Sequence, residues 1–128
     1  MKEDFVTHEI AKRLKENGFK FQCFARYSNS VLYYNTGSFT NCFNGLNEDS
    51  IIDAPTISQV LKWLRETKSI HLEICTLEGC WACPIVDLSK KDEDCDLFAF
   101  CVECLKGGYK SYEEAAIAGI TYCLENLI

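Results

Sequence analysis

The sequence predicts an α+β fold: an antiparallel sheet of about 4–6 strands packed with three helices, in the order α-β-β-(β)-α-β-β-β-α. Three observations carry that reading. Two helices are marked by capping boxes, T-x-x-Q at Thr56 and S-x-x-E at Ser111, whose paired side chains satisfy backbone N–H groups left orphaned at a helix start. Stretches of period two flank them, as half-buried strands do. Short turns join those stretches, which implies antiparallel pairing with helices on the faces of the sheet. The 128 residues make one domain, 1–128, large enough for a core of its own.

The organising stretch is 54–77. Pro55 cannot continue a preceding helix and leaves Thr56 as N-cap, with Gln59 three residues on. Ile57, Val60, Leu61 and Leu64 then fall at i, i+3, i+4 and i+7, one apolar stripe, and Trp63 lands at its margin. Ser58, Gln59, Lys62, Arg65 and Glu66 cover the opposite side. After Lys68 the period becomes two: Ile70, Leu72 and Ile74 point one way, His71, Glu73 and Cys75 the other. The apolar side of that strand can receive the helix.

The rest of the chain follows in order. A first helix is expected over 7–17, with Ile10, Ala11 and Leu14 inward and Gly18 as its left-handed terminator. Phe19, Phe21, Cys23, Ala25 and Tyr27 alternate with Lys20, Gln22, Phe24 and Arg26 as one apolar strand face. Ser28, Asn29 and Ser30 turn the chain, and 31–34 returns as the hairpin partner. Residues 35–53 read mostly as an ordered loop, with room for a short strand around 38–43. Two further strands are expected at 80–88 and 97–105, the latter apolar enough to be buried on both faces. Between them 89–96 is a charged surface loop, and Gly107-Gly108 breaks the chain before the last helix. That helix carries a stripe of Tyr112, Ala116, Gly119, Ile120, Cys123 and Leu127. Its other sides, with Ala115, Ile117, Ala118, Tyr122 and Leu124, are also apolar. A helix apolar nearly all round is buried on more than one side: either it is sandwiched within the domain or its outer face forms a homodimer or partner interface, and the interface is the favoured expectation.

Composition bounds the function. No apolar run reaches the ~20 residues of a membrane span, and the start MKEDFVTHEI lacks the features of a secretory leader, so a cytoplasmic protein is expected. A net charge of −6 disfavours direct binding to phosphate backbones, which needs clustered Lys and Arg. It suits a protein partner with a basic groove. The sequence holds no phosphate-cradling Gly loop, H-E-x-x-H or G-x-S-x-G, and no catalytic residue is assigned.

Nine cysteines, with no secretory leader expected, point to a reduced interior or a metal. Cys80-x2-Cys83 and Cys101-x2-Cys104 lie 17 residues apart, within the spacing of a four-cysteine zinc site. Both pairs sit in strand-like runs, however, where residues i and i+3 face opposite ways. A zinc-stabilised structural or nucleic-acid-associated module is therefore the alternative reading. His71 with Glu73, Cys75 and Trp81 is the best histidine-centred constellation; the bland reading is a polar strand face. Aromatics outnumber the inward positions: Trp63, Trp81, Phe24, Tyr33 or Tyr34, and Phe43 cannot all face the core. With Arg26 and Arg65 nearby they are the residue types that anchor protein interfaces. Trp63, Arg65, Arg26, Trp81 and Tyr122 are the expected partner-binding residues.

The segments GFKFQCFARY (18–27), APTISQVLKWLRE (54–66) and YKSYEEA (109–115) stand in an order that resembles small phage and prophage proteins of Bacteroidetes. The likeness spans nearly the whole chain, and its motifs are structural. It implies a mobile-element accessory protein in the cytoplasm of a bacterial host. Such a protein is expected to act without catalysis, by binding and blocking a defence ribonucleoprotein. A CRISPR nuclease of type VI-B is the target that this resemblance suggests.

Overall fold

The computed structural model describes residues 4–35, 42–46, 50–77, 79–88 and 101–128. Among them run α1 (His8–Glu16), β1 (Ala25–Ser28), β2 (Val31–Tyr34), β3 (Ile51–Ala54), α2 (Ile57–Thr67), β4 (Ile70–Leu72), β5 (Cys75–Leu77), β6 (Cys80–Asp87), β7 (Cys101–Tyr109) and α3 (Tyr112–Asn126). The class is α+β with three helices, as expected, but the strands make two antiparallel sheets: β2-β1-β3, and β6 flanked by β4, β5 and β7. The chain falls into two compact parts, 1–59 and 60–128, with the division inside α2.

In the first part, Thr7 caps α1 by accepting the Ile10 N–H at 3.3 Å. The helix ends in a Schellman turn. Gly18, at φ 88°, donates to the Lys15 carbonyl, and Phe19 donates to that of Leu14 at 2.9 Å. Ile10, Ala11 and Leu14 are buried as the period requires, and Phe19 joins them. The strand expected from residue 19 begins only at Ala25. Phe21 is consequently half exposed rather than inward, because no ladder pleats the chain there. Its ring rests edge-on against Phe19, 5.3 Å between centroids.

β1 and β2 form the expected hairpin, Ser28 opposite Val31. Asn29 and Ser30 take φ 52° and 70°, the two left-handed residues of a type I′ turn, whose twist matches the strands it joins. The other edge of β1 is filled by β3, Ala25 opposite Ala54, a strand lying in the stretch read as loop. Of the strand expected at 38–43, residues 38–41 lie outside the described part, and Phe43 opens a 3-10 turn, Phe43–Leu46. The Thr56 box closes as the sequence required: Gln59 N–H donates to Thr56 Oγ1 at 3.2 Å, and Thr56 N–H to Gln59 Oε1 at 2.9 Å.

In the second part, α2 buries Val60, Leu61 and Leu64. Trp63, expected at the margin, is 4% exposed and belongs to the core. The strand expected over 70–77 is split into β4 and β5, which keep one register against β6. Pro84 accounts for the gap. Glu73 N–H reaches the Pro84 carbonyl at 2.9 Å, but proline has no N–H to return the bond. β7 runs on through Gly107-Gly108 to Tyr109, so the glycines do not end the strand. They fall where the register against β6 shifts, between the Trp81–Tyr109 and Cys83–Leu105 pairs, an irregularity that glycine tolerates.

The S-x-x-E box opens α3: Ser111 Oγ accepts the Glu114 N–H at 3.1 Å, and the Glu114 carboxylate accepts from Lys110 N–H. α3 lies across β4, β6 and β7 and buries Ala115, Ala116, Gly119, Ile120, Cys123 and Leu124. Tyr112 and Leu127, expected in the stripe, are exposed at its two ends. Gly119 sets the approach. A Cβ there would lie 2.5 Å from Cys83 Sγ and 2.6 Å from Leu72 Cδ2. Among the described residues no helix is long and apolar enough to cross a membrane.

Candidate functional site

The most distinctive surface is built on the first sheet, and it starts from a buried carboxylate. Asp53 on β3 is fully buried. Its Oδ2 accepts the Asn44 N–H at 2.8 Å, while its own N–H donates to Asn44 Oδ1 at 3.0 Å. Asn44 Nδ2 then donates to the Phe19 carbonyl at 2.9 Å. This reciprocal clasp holds the 3-10 turn against the sheet. Burial pushes the Asp53 carboxyl above the usual aspartate range, while the Asn44 and Phe43 amides and the Lys15 charge pull it back.

The clasped turn brings Phe43 to Arg26. The guanidinium carbon lies 5.7 Å from the Phe43 ring centre and 5.5 Å from that of Tyr33, its cross-strand partner. One N–H, from Nη1, donates to Asn35 Oδ1 at 2.8 Å. Asn35 is itself buried and fixed, its Nδ2 on the Cys23 carbonyl at 2.8 Å and its N–H on that of Phe24 at 2.7 Å. Arg26 is thus held between two rings by a side chain that cannot turn away. Period-two alternation places Phe24, Arg26, Val31 and Tyr33 on one face. Phe24 is 42% exposed, Tyr33 47% and Val31 51%. Tyr34, on the opposite face, packs edge-on against Phe5 and is also exposed.

The other sequence candidates are placed differently. Arg65 is exposed on α2, and Tyr122 is half-buried on α3. Trp81 is half-buried, its ring edge-on to Tyr112 at 5.7 Å. His71 Nε2–H donates to Glu73 Oε2 at 2.7 Å, while among the described residues its buried Nδ1 has no partner. Trp81 does not join them: it pairs with Thr76, whereas His71 pairs with Val86, positions of opposite parity on β6. Of the expected partner-binding residues, only Arg26 stands in the aromatic cluster. The Asn35 and Asn44–Asp53 supports were not anticipated; the one signal for them was a charged residue inside the apolar run IIDA.

Cys83 is buried where α3 crosses, and Cys80, three residues earlier on β6, is half-buried. That spacing turns them to opposite faces of the strand. The backbones of Cys101 and Cys104 pair with Val86 and Pro84; their side chains lie outside the described part. Among the described residues no three His, Cys, Asp or Glu side chains gather around a common point. Burial, with the Asp53 and Cys42 charges, pushes the Cys23 thiol up to about 12, and burial alone does the same at Cys123. Both are therefore thiols near neutral pH, and it is the thiolate that attacks or binds metal.

No family model, curated protein or solved structure matches the chain.

Proposed function

We propose that this chain is a non-enzymatic protein-binding protein that docks through the face and outer edge of the β1–β2 hairpin. The observation that supports the reading is the exposure of Phe24, Tyr33 and Val31 around an ordered Arg26. Large aromatics and arginine supply most of the binding energy at protein interfaces. Among the described residues β2 also ends its strand order. The Asn35–Phe24 bond makes 31, 33 and 35 the residues bonded to β1, so the main-chain groups of Leu32 and Tyr34 face away from it. Such an edge can pair with an extended segment of another protein. The resemblance to phage proteins supplies the class of partner, a host defence effector such as a CRISPR nuclease, with inhibition as the outcome.

The test compares the wild-type chain with the double variant Phe24→Ser/Tyr33→Ser in binding to a purified effector ribonucleoprotein, and in inhibition of its nuclease. Loss of one exposed aromatic anchor at an interface costs about 2 kcal/mol, roughly 30-fold in affinity. The double variant is expected to lose at least that. Equal inhibition by both proteins would remove the hairpin as the docking surface.

A further inference from the structure

We propose that Arg26 is a carboxylate-recognition site, and that the segment docking along β2 is an extended, acidic stretch of a protein partner. This rests on the reading of the hairpin as the docking surface and adds the chemistry of what it takes. A guanidinium carries five N–H donors in a planar fork. Among the described residues Arg26 makes one hydrogen bond, to Asn35, and no ion pair. The rings of Tyr33 and Phe43 lie 5.5 and 5.7 Å from its carbon and limit its movement. The carboxylate nearest in register, Asp53 opposite Arg26 on β3, is engaged instead by the Asn44 amide. A half-buried arginine with unspent donors and little freedom is preorganised for a planar, bidentate acceptor.

The surrounding charge has the complementary sign. Between residues 17 and 47 the only charged side chains are Lys20 and Arg26, although the chain as a whole carries −6. That same stretch holds eight of the sixteen aromatic residues. That stretch is cationic and aromatic within an acidic protein, and the carboxylate opposite Arg26, Asp53, is buried and faces the Asn44 amide. Two cations are too few for the stripe of phosphate contacts that nucleic acid binding requires. The geometry therefore favours a protein carboxylate, presented by a strand aligned with the outward main-chain groups of Leu32 and Tyr34.

The experiment uses the full chain and three probes: a short strand-forming peptide of alternating valine and threonine with a central glutamate, its glutamine counterpart, and single-stranded oligothymidylate. Titrations are followed by NMR shifts of the chain. Wild type is expected to bind the glutamate peptide about tenfold more tightly than the glutamine one, the size of a charge-assisted bond. That preference should shrink with added salt and vanish in Arg26→Gln. Arg26→Lys, which keeps the charge but not the fork, should recover only part of it. No preference for glutamate on wild type, a comparison needing no variant, overturns the carboxylate assignment. If both peptides then bind equally and Tyr33→Ser abolishes binding, the docking surface stands while its chemistry falls. Binding of oligothymidylate alone would overturn both.

Discussion

The two sheets draw on similar apolar strands and put them to opposite uses. In the second part β6 is buried from Ala82 to Val86, with strands on both edges and α3 pressed so close that Gly119 has no room for a Cβ. In the first part the strands are four residues each, and β2 leaves Val31, Tyr33 and Tyr34 about half exposed. Charge divides the same way: 1–59 holds six basic and seven acidic residues, 60–128 seven and twelve. A strand paired on both edges and covered by a helix has its apolar surface committed to the core. A short edge strand backed by a polar clasp keeps its apolar surface available. The contrast separates the part with more charge and tighter packing from the part whose hairpin leaves its aromatics in solvent.

The sharpest way to break that contrast is to crowd the second sheet. Gly119→Ala would set a methyl group against Cys83 and Leu72, and overpacking of this kind costs about 1–3 kcal/mol. Adding Cys83→Ala should return part of the loss by removing the closer contact. Urea denaturation reads both, and an unchanged midpoint for Gly119→Ala would mean that α3 does not press on the sheet.

The next effect belongs to the first part and depends on pH. The folded value of Asp53 is raised above the unfolded one. Its contribution therefore favours folding below the unfolded value and is lost as pH rises through the folded value. Relative to Asp53→Asn, which keeps an oxygen for the Asn44 amide, wild type should lose stability as pH climbs from acid towards neutral. Urea midpoints measured for both across that window check the sign, and parallel profiles would show that the carboxyl is not desolvated.

A smaller gain is expected at the hairpin turn. Ser30 holds φ 70°, a left-handed conformation that costs a side chain free energy glycine does not lose. Ser30→Gly should raise stability by about 0.5–1 kcal/mol, read as a higher thermal midpoint. The smallest effect sharpens the comparison most. Tyr33→Ser should change stability by less than about 0.5 kcal/mol, because the side chain is half exposed. A larger loss would make Tyr33 a core residue and remove the distinction between the sheets.

Much of this architecture was legible where the signal was local. The Thr56 and Ser111 boxes, the Gly18 terminator, the Asn29-Ser30 turn and the stripe of α2 each depend on residues within a few positions of one another. What escaped depends on distant partners. β3 is four residues long and carries a charge at Asp53, so it reads as loop until β1 pairs with it. Phe21 alternates correctly yet is exposed, because it lies ahead of β1, which begins at Ala25. Trp63 sits at the margin of a helical stripe on paper and is buried in fact. The candidate site divides along the same line. Arg26 and Tyr33 could be joined through the hairpin register, whereas Phe43 and the Asn44–Asp53 clasp could not.

By itself the sequence determined the α+β class, the three helices, the Thr56 and Ser111 caps, the turn between β1 and β2 and the absence of a familiar catalytic motif. Those follow from backbone sterics, short-range hydrogen bonds and periodicity, which act within a few residues. Tertiary structure alone decided that the strands form two sheets, which aromatics are left in solvent, and that a buried aspartate holds the turn packing Phe43 against Arg26. Those outcomes depend on which distant segments compete to cover each apolar face, and that competition is settled only when the chain closes on itself.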